Sequence, residues 1–303
     1  MKPIVYVIGG PTASGKSKLA VELAKKVNGE IISADSMQIY KEMNIGTAKV
    51  NKKEMQGIQH YLVDFISPDR RYSVSNFKKD AEKEIEAILA KGKTPIVVGG
   101  TGLYIDSLIY GIEFQDEEID LEYRESLNKL ADNEGLDILY KKAQEIDPEA
   151  MKKISINDRK RIIRVLEIYH KTGKTKTEQE VQSRKNEVKY EYKVFAITMD
   201  REKLYERIEK RVDTMIAQGL IEEVKQILKK YNTFPTAMQG LGYKEVVEYL
   251  EGVCTKEEMI AKIKKETRHY AKRQLTWFRK NKETIWLDGE KSTDENVSTI
   301  LEL

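Results

Sequence analysis

A single cysteine, Cys254, stands among 303 residues. That excludes an intramolecular disulfide and a cysteine-built zinc site, and leaves Cys254 to be read as a small packed apolar side chain. No apolar run reaches membrane-spanning length. Met1-Lys2-Pro3 leads straight into the first apolar segment, without the separate apolar stretch and cleavage site of a secretory leader. A cytoplasmic protein is therefore expected. Internal repeats and low-complexity segments are absent, so solenoid and linker-like architectures are not in view. An excess of one charge is missing too: 53 Lys and Arg face 50 Asp and Glu, for a net charge of +3. That balanced total hides basic residues gathered in two places. With 40% hydrophobic residues over this length, a sizeable core is available, in one large domain or two smaller ones.

What is present begins with Gly10-Pro11-Thr12-Ala13-Ser14-Gly15-Lys16-Ser17. It follows the apolar run Ile4-Val5-Tyr6-Val7-Ile8 and opens a helical pattern through Leu19, Leu23 and Val27. Strand, glycine-rich turn and helix form the context of a phosphate-binding P-loop. The glycines let successive N–H groups turn inward around phosphate oxygens, and the helix N-terminus adds partial positive charge. Lys16 supplies a full charge for the terminal phosphate, and the Ser17 hydroxyl is the usual Mg²⁺ ligand of such a loop. A glycine-rich turn with a chance lysine is the plain alternative; the flanking strand and helix argue against it.

The short apolar run Ile31-Ile32-Ser33-Ala34 predicts a second strand, which ends in Asp35-Ser36-Met37-Gln38. In open α/β sheets, ligands sit at the carboxyl ends of strands, so topology alone brings Asp35 beside the P-loop. A carboxylate there can act as a general base, accept a substrate hydrogen bond or hold a metal through water; a helix-cap role is the alternative. Residues 46–60 read as loop with a short helix, and Tyr61 to Phe65 as a strand. Ser73 to Lys91 predicts an amphipathic helix, with Phe77, Ala81, Ile85 and Ile88 on one face. Pro95-Ile96-Val97-Val98 predicts a further strand, running into Gly99-Gly100-Thr101-Gly102. It lacks the terminal aspartate with which water-activating ATPases hold metal and nucleophile. Thr101 instead ends that strand, where a hydroxyl can donate to a phosphate oxygen, cap the next helix, or both.

Beyond Glu113 the character changes: Glu113-Phe114-Gln115-Asp116-Glu117-Glu118 reads as a boundary, and helical patterns follow at 120–132, 136–146 and 157–171. From Asn157 to Lys176 there are seven Lys and Arg against two acids. A solvated helix face and a nucleic-acid contact both fit such a run. Residues 172–189 are polar and read as mobile. A strand at 192–198 and helices near 201–217, 220–230, 236–250 and 255–280 complete the pattern, and the polar tail after Asp288 is expected to fray. Arg207 and Arg211 lie four residues apart on one helix face, suited to one diphosphate or to surface ion pairs. Lys262 to Lys282 carries nine Lys and Arg against one acid, Glu266, with Arg268, Lys272 and Arg279 in one stripe. Tyr270, Trp277 and Phe278 interleave with it, a mixture suited to RNA. For Trp277 and Phe278, packing onto the core is the expected role.

These segments, in this order, resemble the bacterial tRNA dimethylallyltransferase (tRNA isopentenyltransferase) family. The resemblance rests on the P-loop, Ser33 to Tyr40, Gly46-Thr47-Ala48-Lys49, Val98 to Tyr104, Arg211 to Met215, Gly242-Tyr243-Lys244-Glu245 and Tyr270 to Arg279. It covers essentially the whole chain. It implies transfer of the dimethylallyl group of dimethylallyl diphosphate to N6 of the adenosine 3′-adjacent to the tRNA anticodon. Asp35 would take the N6 proton, Thr101 would bond the bridging oxygen of the leaving diphosphate, and Lys16 with the P-loop amides would hold that diphosphate with Mg²⁺ at Ser17. Asp35, Ser36, Met37 and Gln38 would read the target nucleotide. Arg124, and Arg159, Lys160, Arg161 and Arg164, would contact tRNA, as would the stripe Arg268, Lys272 and Arg279. The implied fold is α/β: a P-loop NTPase-like parallel sheet flanked by helices, with a helical insertion domain and a helical C-terminal region. The expected division is 1–114 plus 190–303 for the core and 115–189 for the insertion, in a monomer with no membrane partner. A nucleotide or small-molecule kinase is the rival reading. It accounts for the P-loop, Asp35 and the paired arginines Arg207 and Arg211, and leaves two separated basic segments unexplained.

Overall fold

The computed structural model describes residues 2–113, 120–183 and 187–303. Six parallel strands form one sheet in the order β3-β2-β4-β1-β5-β6. In chain order the first elements are β1 (Ile4–Gly9), α1 (Lys16–Lys26), β2 (Gly29–Ser33), α2 (Lys52–Met55), β3 (His60–Tyr61), α3 (Val74–Ala90), β4 (Thr94–Gly99) and α4 (Gly102–Ile109). Then come α5 (Leu121–Glu134), α6 (Leu136–Ile146), α7 (Pro148–Met151), α8 (Arg159–Thr172) and α9 (Lys176–Ser183). The chain returns with β5 (Glu191–Thr198), α10 (Arg201–Ala217), α11 (Leu220–Lys230), a short 3₁₀ turn at Ala237–Gln239, α12 (Tyr243–Leu250), α13 (Lys256–Phe278), β6 (Ile285–Asp288) and α14 (Thr293–Glu302).

A parallel sheet must be covered on both faces, and alternation along each strand divides its apolar side chains between two cores. Val5 and Val7 of β1 join Ile32, Val97 and Ala196 against α3 and α4. Ile8 joins Ile31, Ile96, Phe195 and Leu287 against α1 and α14. The register aligns Val7 with Val97 on one side and Val194 on the other. Helix α3 inserts Phe77, Ala81, Ile85 and Ile88, all fully buried, at about 1.5–3 kcal/mol for each large side chain. Its capping box, Ser73 with Asn76, fixes where it starts. A third core, built on Val224, Met238, Tyr243, Met259 and Ile263, joins α10 to α13 with Ile39, Tyr40 and Met43.

Contacts divide the chain into two units, residues 1–109 with 188–303, and residues 110–187. The expected boundary between residues 114 and 115 lies outside the described residues. Within the second unit, Leu127, Leu139, Met151, Ile162 and Leu166 make an all-helical core.

Three expectations are corrected. The strand expected over 61–65 is only His60–Tyr61, because Leu62 and Asp64 take left-handed φ of 58° each and leave the ladder. The helix expected over 236–250 is broken: Gly242, at φ 92°, separates the 3₁₀ turn from α12. The polar segment 172–189 is not among them: residues 176–183 continue the helical character of this region, and 184–186 lie outside the described residues. The tail does not fray. Strand β6 extends the sheet, and Ser292 and Glu295 form a capping box that starts α14, whose Val297 and Ile300 are buried.

Candidate active site

The loop from Gly10 to Ser17 joins β1 to α1 at the carboxyl end of the sheet. Gly15 has φ 91°, open to glycine at no steric cost, and Ala13 sits at φ 65°, a strained choice for a residue with a Cβ. No side chain caps α1, so its first N–H groups remain donors for an anion. Lys16 Nζ donates to Pro11 O at 3.2 Å. Burial lowers the Lys16 pKa to about 8; the Asp35 charge opposes this and the Arg211 charge adds to it. The Ser14 hydroxyl is buried with no hydrogen-bond partner among the described residues. Ser17 is exposed on the first turn of α1.

Asp35 follows β2. Its Oδ1 accepts from the Met37 N–H at 2.9 Å and the Gln38 N–H at 3.2 Å, an Asx turn that holds the carboxylate at the strand end. The Ser36 N–H donates to Thr101 Oγ1 at 3.1 Å, and the Thr101 N–H donates to Ala34 O at 3.2 Å. Carboxylate and threonine are thus clasped together by the ends of β2 and β4. Gln38 in turn donates from Nε2 to Thr47 O and Ala48 O at 3.3 Å. Glu223 accepts from the N–H groups of Asn44 and Ile45 at 2.9 and 2.8 Å, which orders the loop carrying Gly46 to Lys49.

Two residues absent from the sequence-derived site come from α13. Gln274 Oε1 accepts from the Thr12 N–H at 2.8 Å, and its Nε2 donates to Gly100 O at 2.9 Å. One buried amide therefore ties the P-loop to the threonine loop. A Cβ on Gly100 would lie 1.9 Å from Gln274 Nε2, so any side chain there would displace the Gln274 amide from Gly100 O. One turn earlier, Tyr270 lines a cavity with Asp35 and Thr12. The available signal was an uncharged glutamine inside a basic helix, four residues from a tyrosine. Trp277 and Phe278 pack as expected: Phe278 enters the core beside Gly9, and Trp277 covers Gly102.

The paired arginines part company. Arg211 Nη1 donates to Thr12 Oγ1 at 3.1 Å, and burial lowers its pKa. Arg207 is exposed. Asp35 lines two spaces. A narrow cleft of about 30 Å³ runs past Lys16, Ser17, Ser33, Gln38 and His60. A larger cavity of about 320 Å³ is bordered by Thr12, Asp35, Arg211, Tyr270 and Arg273. No group of three or more His, Cys, Asp or Glu suited to a metal exists among the described residues.

The basic residues differ in their engagement. Arg268 is paired with Glu209 and lies over the Tyr205 ring, whereas Lys272 and Arg279 are exposed. In the second unit, Arg124 forms a two-pronged pair with Glu167. Arg159 pairs with Asp132 at 2.6 Å, Arg161 with Asp158 at 3.4 Å and Arg164 with Glu167 at 3.8 Å. Lys160 is exposed. No helix among the described residues is long and apolar enough to cross a membrane.

Residues 38–281 match the family model described as IPP transferase. The chain is 52% identical over 295 residues to a tRNA dimethylallyltransferase of Acetivibrio thermocellus, covering 97% of this chain and 94% of that one. It is 47% identical over 293 residues to the Bacillus cereus protein of the same name, covering 96% and 92%. Among solved structures it is similar to the tRNA isopentenylpyrophosphate transferase of Bacillus halodurans, with TM-score 0.74, 39% identity and coverage of 100% and 95%. It is also similar to a eukaryotic dimethylallyltransferase acting on tRNA, with TM-score 0.80, 32% identity and coverage of 99% and 77%.

Proposed function

The chain belongs to the IPP transferase family, and from that premise we propose that it transfers the dimethylallyl group of dimethylallyl diphosphate to N6 of the adenosine 3′-adjacent to the anticodon of tRNA. The products are N6-dimethylallyladenosine and diphosphate. One observation carries this reading: Asp35 borders both the cleft behind the P-loop and the larger cavity. A phosphorylated donor and a base acceptor entering from different sides would meet at that carboxylate.

In the reaction the N6 nitrogen bonds the allylic carbon as that carbon leaves the bridging oxygen. Asp35 accepts the N6 proton, a role for which Oδ2 remains while Oδ1 is held by the Asx turn. Thr101 donates to the bridging oxygen. The amides of the 10–17 loop, Lys16 and Arg211 receive the charge that develops on the diphosphate. No water needs activating, which suits a β4 that ends in glycine and threonine rather than aspartate. Extrusion of the target base from its stack is required for it to reach a half-buried carboxylate at the sheet's carboxyl edge. Asp35 to Gln38 then read that nucleotide.

The residues at the loop fit a hard cation. Ser17 offers a hydroxyl, Asp35 a carboxylate facing the same cleft, and the substrate its own phosphate oxygens. Mg²⁺ held by Ser17 and the diphosphate would supply charge neutralisation. Arg124, Arg159, Lys160, Arg161, Arg164, Arg268, Lys272 and Arg279 are assigned to the RNA backbone. The enzyme works as a cytoplasmic monomer. The kinase alternative is not favoured, because the family match spans the helical C-terminal region that a kinase reading leaves idle.

The test is a transfer assay with Mg²⁺, dimethylallyl diphosphate and an anticodon stem-loop, followed by digestion and nucleoside mass analysis. An adenosine heavier by one dimethylallyl group is expected. Unmodified adenosine, with ATP consumed in a parallel reaction, would return the kinase reading.

A further inference from the structure

Helix α11 carries two acids in its first turn, and they behave differently. Glu222 is exposed and pairs with Lys225 at 3.9 Å. Glu223 is half-buried and turns to a loop near residue 44, 179 positions earlier in the chain. Its Oε2 accepts from the Asn44 and Ile45 N–H groups at 2.9 and 2.8 Å. Its Oε1 accepts from the Gly46 N–H at 3.3 Å and from the Tyr243 hydroxyl at 2.6 Å. A favourable place at a helix N-terminus accounts for Glu222. It does not account for four donors converging on Glu223, each bond strengthened by the carboxylate charge.

The loop needs such a hold. Ala48 sits at φ 47°, a left-handed conformation that is costly for a residue with a Cβ and persists only when its surroundings enforce it. Gly46 is pressed onto α12: a Cβ there would stand 2.4 Å from the Tyr243 ring, which is itself fully buried. The other side of the loop meets the site. Gly46, Thr47 and Ala48 line the larger cavity together with Asp35. Thr47 O and Ala48 O each accept from Gln38 Nε2 at 3.3 Å, and the Met37 and Gln38 N–H groups hold Asp35 Oδ1. Hydrogen bonds therefore lead from Glu223 to the loop amides, from the loop carbonyls to Gln38, and from the Gln38 N–H to Asp35.

We propose that Glu223 is a positioning residue for the acceptor base: through the 44–48 loop it sets the wall of the larger cavity and the orientation of the Gln38 amide. This rests on the reading that a nucleobase enters that cavity. The diphosphate is held at the 10–17 loop, in a different part of the site, so the role is confined to seating the base. Overall RNA affinity comes mainly from the phosphate backbone and is set elsewhere.

The experiment uses an anticodon stem-loop with 2-aminopurine at the target position, whose emission reports a base leaving its stack. Three measurements accompany it: single-turnover transfer to the unmodified stem-loop, stem-loop affinity by anisotropy, and affinity for inorganic diphosphate by calorimetry. In Glu223→Gln, one acceptor oxygen becomes an NH₂ group that opposes the loop's N–H donors. Transfer falls about tenfold and the emission change shrinks, while both affinities stay native. Glu222→Gln, the same change one residue earlier, leaves all four readings native. Gly46→Ala keeps the carboxylate but drives the loop off the Tyr243 ring, and reproduces the Glu223→Gln pattern. Native emission and rate in Glu223→Gln overturn the proposal. Diphosphate affinity lost in step with the rate also overturns it, because Glu223 then serves the fold at large. Should Glu223→Gln fail to fold, Gly46→Ala decides: slow transfer with native diphosphate affinity supports the role, and native transfer overturns it. If the native enzyme transfers nothing to the stem-loop, the base reading itself has failed and this role falls with it.

Discussion

Two stripes of the same helix do opposite things. Along one side of α13, Tyr270, Gln274, Trp277 and Phe278 face inward over the glycines of the two site loops. Half a turn away, Arg268, Lys272 and Arg279 face outward, and the last two are exposed. The inner stripe carries no charge and holds the geometry of the site. The outer stripe carries charge and touches nothing catalytic. One helix thereby couples a precise site to a diffuse electrostatic surface, and the two should fail separately when mutated. A second contrast lies within the basic residues. On α8, Arg159 and Arg161 already have carboxylate partners, so their charge is partly spent. Lys272 and Arg279 form no ion pair among the described residues. Counting lysines and arginines therefore overstates what the second unit offers to a phosphate backbone.

The comparison can be broken at several points. Asp35→Asn should cut single-turnover transfer roughly a thousandfold while tRNA affinity stays near native. Equal loss of binding and rate would mean that site and surface are not separable. Gln274→Ala leaves the Thr12 N–H and Gly100 C=O without their partner, at about 1–3 kcal/mol each, and should lower the melting temperature together with the rate. An unchanged melting curve would remove the amide from its bridging role. Lys272→Ala with Arg279→Ala should weaken stem-loop binding about tenfold at moderate salt and flatten the salt slope by about two units, with native kcat at saturation. A steep slope in that variant would shift RNA binding elsewhere.

Lys16 gives a pH test. Its pKa in the free enzyme is lowered to about 8, so the amine loses its proton as pH rises through that value. Affinity for inorganic diphosphate should fall over the same interval, by up to about tenfold per pH unit, after correction for the ligand's own titration, measured by calorimetry. The stability linkage has the opposite sense. The unfolded chain holds the Lys16 proton more tightly, so this lysine favours the fold increasingly as pH rises from about 8 toward the ordinary lysine value of 10.5. The smallest effect is expected for Arg159→Ala. Its half-exposed pair with Asp132 contributes about 0–1 kcal/mol, and the RNA salt slope should move less than in the α13 variant. A larger change there would reverse the ranking of the two basic regions.

Much of the proposed site was legible because its signals are local. The P-loop is contiguous, and Asp35 and Thr101 each follow an apolar run that ends at the sheet's carboxyl edge. Arg211 was visible as half of a pair, but sequence spacing could not tell which arginine turns inward. Only the packing of α10 decides that Arg211 reaches Thr12 while Arg207 stays in solvent. Strand β6 and helix α14 were missed although Ser292 and Glu295 spelled a capping box, because a polar tail was given more weight than a cap followed by Val297 and Ile300. The break before α12 went unseen because a glycine in a helical pattern does not announce its φ.

By itself the amino-acid order determined the α/β class, the phosphate loop, the two strand-end residues and the cationic stripe, since each depends on near neighbours or on helical period. Tertiary structure alone decided that Gln274, more than 260 positions beyond Thr12, closes the site by bonding both loops at once. It also decided which cations are neutralised by carboxylates and which stay open to solvent. The physical reason is the same in both cases. A hydrogen bond or an ion pair depends on distances of a few ångströms, and a chain fixes those between remote residues only when its cores have packed.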